Sequence, residues 1–259
     1  MDTAFYEPLG EGRYRATPAT IGPWSPSLQH AGPPAALLAH VMERLDPRPG
    51  ARISRISVEI LGPVPVGEMR VTAAVERPGK RVQLLSARAE VNGREAMRAV
   101  AWQLQAEPGR SPAVGPREPA PPFPAPQPQR FFPGLGSFPY GEALEWRFTE
   151  GHFTEPGPAT VWARCRIPIV EGEPLTGLTR LVAMVDSANG VSWELPLGRF
   201  TFVPVDLNVV LRRSPEGEWV GMAATTEVEP DGLGLVRTRL FDAGGFVGGS
   251  LHTLFVAPM

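Results

Sequence analysis

The stretch Leu178-Thr-Arg-Leu-Val-Ala-Met-Val-Asp186-Ser-Ala-Asn-Gly190 holds a carboxylate inside a run that is apolar on every side. Such a run reads as a buried helix rather than a surface one. A carboxylate there is costly unless it is paired or hydrogen-bonded, so Asp186 is a candidate site residue, able to act as a general base or to orient water. The same residues allow a plainer role, with Asp186 and Asn189 closing the helix and leading into Gly190. A second constellation is Gln29-His30-Ala31-Gly32-Pro33-Pro34. Amides at a helix start bind oxyanions or carbonyl oxygens, and Gly32 lets a ligand come close to the backbone. Its plainer reading is a Gly-Pro helix start with His30 on a surface loop. His30, His40, His152, His252 and the single cysteine, Cys165, show no metal-ligand spacing, and there is no phosphate-binding glycine loop or dinucleotide fingerprint. No metal and no cofactor are expected.

The elements that position these residues read from periodicity and turn signals. The glycine and prolines introduce a helix over Ala35–Leu45, where Leu37, Leu38, Val41, Met42 and Leu45 repeat at helical spacing and Asp46-Pro47 stops it. A short strand with a Gly10-Glu-Gly12 turn precedes it. Strands are expected over 53–61, 68–77, 81–91 and 94–105, with turns at Gly62–Gly67, Pro78-Gly79-Lys80 and Asn92-Gly93. Residues 107–139 then carry eleven prolines and read as an extended connector between two units. Beyond it, strands are expected over 146–150 and 161–167. The Asp186 helix comes next, followed by strands over 200–213, 218–228, 235–241 and 246–256. Alternation over 161–167 makes Cys165 a core thiol rather than a nucleophile. Along 205–210, Asp206, Asn208 and Val210 share one face, which looks either to a pocket or to solvent.

Composition bounds the class. The 259 residues suit one large domain or two small ones, and 42% hydrophobic with 20% charged residues is ordinary for a globular protein. A net charge of -2 argues against nucleic acid as a partner. No apolar run is long enough to span a bilayer, and the first residues lack the pattern of a signal peptide. With one cysteine there is no internal disulfide, and a cytoplasmic location is expected.

The two halves share one order, an apolar helix followed by four strands with turns at matching places. Val66-Gly67-Glu68-Met69 corresponds to Glu216-Gly217-Glu218-Trp219, and Pro78-Gly79 to Pro230-Asp231-Gly232. Internal duplication is the simplest account, and a helix on a curved antiparallel sheet, twice, is an α+β arrangement. In this order, in the Pro-rich joint and in four motifs the chain resembles the type II acyl-CoA thioesterases and related thioesterase-like proteins of double hotdog fold. The motifs are Gln29-His-Ala-Gly-Pro-Pro-Ala-Ala-Leu-Leu, Met184-Val-Asp186-Ser, Val205-Asp-Leu-Asn-Val-Val-Leu-Arg212 and Gly248-Gly-Ser-Leu-His-Thr. The resemblance covers nearly the whole chain. It implies two tandem hotdog repeats, 1–106 and 140–259, joined by 107–139, each with a central helix, their sheets paired edge to edge. Exposed sheet edges and faces would make homo-oligomers.

The resemblance also implies a site. Type II enzymes hold the attacking water with an Asp from the second helix, a Thr from the next strand and a Gln from the last strand. The Asp position matches Asp186. The Thr position falls on Pro204, with Thr201 nearby, and the Gln position falls on His252. The expected catalytic set is therefore Asp186, His252 and Thr201, with His30, Gly32 and Asn208 binding substrate and Lys80 and Arg81 meeting the phosphates of CoA. The expected activity is hydrolysis of an acyl-CoA in lipid metabolism. Two alternatives stand beside it. One is an acyl-CoA or lipid-binding protein without catalysis, which Pro204 favours. The other is an enoyl-CoA hydratase or dehydratase that uses His30 and Asp186 as a pair.

Overall fold

The computed structural model describes residues 2–259. A hairpin of β1 (Tyr6–Gly10) and β2 (Arg13–Ala16) precedes α1 (Gly32–Leu45), and β3 (Ala51–Ile60), β4 (Glu68–Arg77), β5 (Val82–Val91) and β6 (Arg94–Gln105) follow. The second half repeats this plan. A turn of helix, α2 (Pro139–Glu142), and the pair β7 (Leu144–Glu150) and β8 (Ala159–Cys165) precede α3 (Gly177–Val185) and α4 (Ala188–Val191). Then come β9 (Phe200–Pro204), β10 (Asp206–Leu211), β11 (Val220–Val228), β12 (Leu233–Asp242) and β13 (Gly245–Pro258).

One antiparallel sheet runs through both halves in the order β1-β2-β4-β5-β6-β3-β10-β13-β12-β11-β8-β7, with β9 pairing beside it on β13. Read from either end, the order is the same under the repeat. The seam is β3 against β10, with Val58 opposite Leu207 and Ile56 opposite Val209. All four of these side chains are buried. Helix α1 lies on β3–β6 and packs along α3, and Leu37, Leu38 and Met42 share the core with Ile56, Leu85 and Met97. Among the described residues no helix is long and apolar enough to cross a membrane.

The structure departs from the expected elements at three places, each with a local cause. Helix α1 begins at Gly32, three residues before Ala35, because Pro33 and Pro34 occupy first-turn positions whose N–H groups have no intrahelical partner. The helix expected through Asp186 stops there: Asp186 is the C-cap of α3 and the short α4 restarts at Ala188. The strand expected over 200–213 is two, broken at Val205. β9 pairs with Leu254–Pro258 of β13, whereas β10 pairs with Gly248–Leu251 and inserts against β3.

Both outer edges of the sheet are covered by the chain itself. At β1, the N–H groups of Phe5 and Tyr6 donate to Pro168 and Ile169, and Glu171 donates back to Tyr6. At β7, the cover is the Pro-rich segment. The Gln129 amide donates to the Trp146 carbonyl and accepts from the Trp146 N–H, and Gln127 does the same with Phe148. A stretch with few backbone donors thus borrows side-chain amides to complete a strand ladder. At these residues the edge groups pair within the chain. The antiparallel helix pair has two ends. At one, Gly32 of α1 meets Ala183 and Asp186. At the other, the N-cap Thr176 of α3 donates through Oγ1 to Glu43 of α1 at 2.7 Å.

Candidate active site

Asp186 is placed by close approach of the two helices. A Cβ on Gly32 would lie 2.3 Å from the Ala183 carbonyl oxygen, so only glycine lets the start of α1 rest on the last turn of α3. A negative charge at the C-terminal end of α3 opposes that helix dipole, but here it faces the positive end of α1. Asp186 is 3% exposed. Its Oδ2 lies 3.0 Å from His30 Nδ1, and the Gly32 N–H lies 3.2 Å from the same nitrogen. An Nδ1 that gives its proton to Oδ2 cannot also accept the Gly32 N–H, which then donates to the Asp186 carboxylate. Oδ1 meets no hydrogen-bond donor among the described residues. Burial pushes the Asp186 carboxyl up, but the His30 imidazole, His252 and the Gly32 N–H outweigh burial and hold it below its ordinary value.

His30 is fixed in turn by Tyr140, whose ring stacks on the imidazole at 3.9 Å between centroids and 9° between planes. The Tyr140 hydroxyl donates to the Ala183 carbonyl at 2.8 Å and shares a second hydrogen bond with Ser187. Burial raises the Tyr140 phenol well above its usual value, so it stays protonated. The Asn189 amide donates to the Phe202 carbonyl at 3.4 Å, leaving its second hydrogen free for a ligand.

His30, Asp186, Ser187 and Asn189 open into a cavity of about 360 Å³. Its walls come from Trp24, Phe138, Tyr140, Trp146 and Phe202, and from Phe132 and Phe153 behind Gly190. The elements that bring these together are the loop before α1, the α3–α4 junction, the end of the Pro-rich segment and β9.

Several residues expected at the site lie elsewhere. Thr201 is not in the cavity wall: Phe202 and Pro204 of the same strand are, and Pro204 has no hydroxyl to offer. His252 is fully buried behind the site, and neither ring nitrogen has a partner among the described residues. Burial keeps its imidazole below the usual value against the pull of Asp186 and Asp206, so it is neutral near pH 7. Asn208 sits on the outer face of β10, opposite to buried Leu207 and Val209, and donates to Asp206. Lys80 and Arg81 are exposed on the β4–β5 turn, which Arg48 holds just past the C-terminus of α1. The 14 residues of α1 separate that end from His30 by about 20 Å. Gly32 is at the site, but its N–H is already engaged and Pro33 and Pro34 have none. At the start of α1 the prolines leave few amides that could meet an oxyanion. Cys165 is half-buried and burial pushes its thiol up to about 12, as a core thiol requires. Among the described residues no cluster of three or more His, Cys, Asp or Glu can hold a metal ion.

Tyr140, Ser187 and Asn189 were not singled out as site residues by the sequence. Tyr140 follows the proline segment without any periodic context, and Asn189 reads as a cap. The one available signal was the polar cluster Asp186-Ser187-Asn189 interrupting an apolar helix.

Comparison with known proteins agrees with this fold. Residues 20–104 match the profile of the acyl-CoA thioesterase N-terminal domain and residues 116–256 that of the acyl-CoA thioesterase C-terminal domain. No curated protein matches the chain. Among solved structures, a protein of unknown function with hot dog fold from Alicyclobacillus acidocaldarius superposes with a TM-score of 0.74 at 14% identity, covering 97% of this chain and 96% of that one. An acyl-CoA thioesterase II from Mycobacterium marinum gives 0.65 at 17%, covering 98% and 95%. The tesB protein of Mycobacterium avium subspecies paratuberculosis gives 0.68 at 14%, covering 99% and 97%. At these identities the likeness is one of fold.

Proposed function

The chain belongs to the acyl-CoA thioesterase family, and from that premise we propose that it hydrolyses an acyl-CoA thioester to the free acid and CoA, with the attacking water held at Asp186. The observation that carries this is a buried carboxylate, held below its ordinary value and paired through Oδ2 to His30, in the wall of an apolar cavity. The water donates to the Asp186 carboxylate. As its oxygen bonds to the thioester carbon, its proton passes to the carboxylate. The C–S bond then breaks and the thiolate leaves with that proton as CoA thiol. His30 holds the carboxylate in place through Nδ1, and Tyr140 holds His30. The second hydrogen of the Asn189 amide receives the carbonyl oxygen as charge develops on it. In this arrangement His30 and Asn189 do the work that the resemblance gives to Thr and Gln, whose positions here hold Pro204 and His252. The same reading takes the chain as two tandem hotdog units divided by 107–139, each folded around its own helix, and the mirrored strand order supports it.

The test is CoA release from a panel of acyl-CoAs. Asp186→Asn is expected to lower kcat about a thousandfold while leaving the circular dichroism spectrum intact. Full activity in that variant, or no release from any acyl-CoA by the parent protein, overturns the reading. The His30–Asp186 contact favours a second reading, hydration of an enoyl-CoA, in which the pair delivers water across the double bond. Loss of the enoyl chromophore without CoA release identifies it.

A further inference from the structure

Four of the 12 Phe, two of the 6 Trp and one of the 3 Tyr line the cavity at Asp186. That is a third of each type around one space in a chain where aromatics make up 8%. The rings are not randomly turned. Phe153 stands edge-on to Phe132 at 5.2 Å and to Trp146 at 5.2 Å, and Phe202 edge-on to Trp24 at 5.9 Å. The inner group rests on α4, where a Cβ on Gly190 would already lie 3.3 Å from the Phe132 ring.

We propose that the acyl group brought to Asp186 is aromatic, an aryl or arylacetyl unit whose ring stands among Phe132, Phe138, Trp146 and Phe153. This rests on the thioester reading of the site. Space agrees with it. A cavity of about 150 Å³ admits benzene, so 360 Å³ takes a phenyl ring, the thioester and the start of the pantetheine arm. Chemistry agrees too. Ring edges and faces meet another ring in offset or edge-on geometry that a flexible alkyl chain cannot reproduce.

Two measurements test the proposal. The first compares kcat/KM for phenylacetyl-CoA, benzoyl-CoA, hexanoyl-CoA and palmitoyl-CoA. The better aryl substrate is expected to exceed hexanoyl-CoA about tenfold or more, and Phe153→Leu to bring that ratio close to one. Equal or higher values for the alkyl thioesters overturn it. The second titrates Asp186→Asn protein with phenylacetyl-CoA and hexanoyl-CoA, following tryptophan fluorescence. Tighter aryl binding supports the proposal and equal or weaker aryl binding overturns it, even if no thioester is cleaved and the hydrolytic reading itself has failed.

Discussion

At the level of single residues, the chemistry turns on how a carboxylate is kept ionised out of water. His30 counters the upward push of burial on Asp186. His30→Gln keeps a hydrogen-bond donor but removes the imidazole, so the carboxyl value rises. The acidic limb of the kcat/KM profile is expected to move to higher pH, with kcat lower by about a hundredfold; an unmoved limb excludes the role given to His30. Asp242 shows the same balance used for stability. Burial raises its carboxyl, but Arg213 and the N–H groups of Glu216 and Gly244 bring it below its ordinary value. Its contribution is therefore complete above the unfolded value near ~3.9 and is lost as pH falls through the lower folded value. Asp242→Asn is expected to destabilise the protein by about 2 kcal/mol at pH 7 in urea melts and to flatten the acid side of its stability profile. Asp186 could be found in the sequence because a charge in an apolar run stands out. Its partners could not, since His30, Tyr140 and Asn189 come from segments whose contact depends on tertiary packing.

At the level of elements, two devices hold the site together. The first is the bare backbone at Gly32. Gly32→Ala sets a methyl group against the Ala183 carbonyl, which has no flexible end to yield. It is expected to cost about 2–3 kcal/mol in urea melts and to lower turnover by parting Asp186 from His30. The second is the glutamine pair that replaces a strand. Changing Gln127 and Gln129 together to alanine frees four backbone groups of β7 and is expected to cost roughly 1–3 kcal/mol and to open the Pro-rich segment to proteolysis. Most strands were legible, with β4 and β6 read to the residue, because alternation and turn residues such as Asn92-Gly93 are local signals. The break at Val205 was not, since it follows from which neighbours β9 and β10 find on β13 and β3. The Pro-rich segment read as a joint because its composition is that of one. Its side-chain amides and the rings of Phe132 and Phe138 make it part of the wall.

On the scale of the whole molecule, a sheet of mirrored strand order carries a helix pair whose two ends differ. The sequence showed the repeat in its turn positions but not this difference, because each end is built from residues of both halves. At one end Asp186 is held below its ordinary value beside the cavity. At the other, Glu43 is pushed up by burial and its carboxylate takes the Thr176 hydroxyl. The unlike ends set the stoichiometry: calorimetric titration of Asp186→Asn protein with a bound acyl-CoA is expected to give one equivalent per polypeptide, and two equivalents contradict it. Glu43→Gln, at the quiet end, leaves turnover as it was. The mirrored plan thus leaves this chain with a spare berth that is moored shut, one end of the helix pair tied off for stability while the other stays open to cargo.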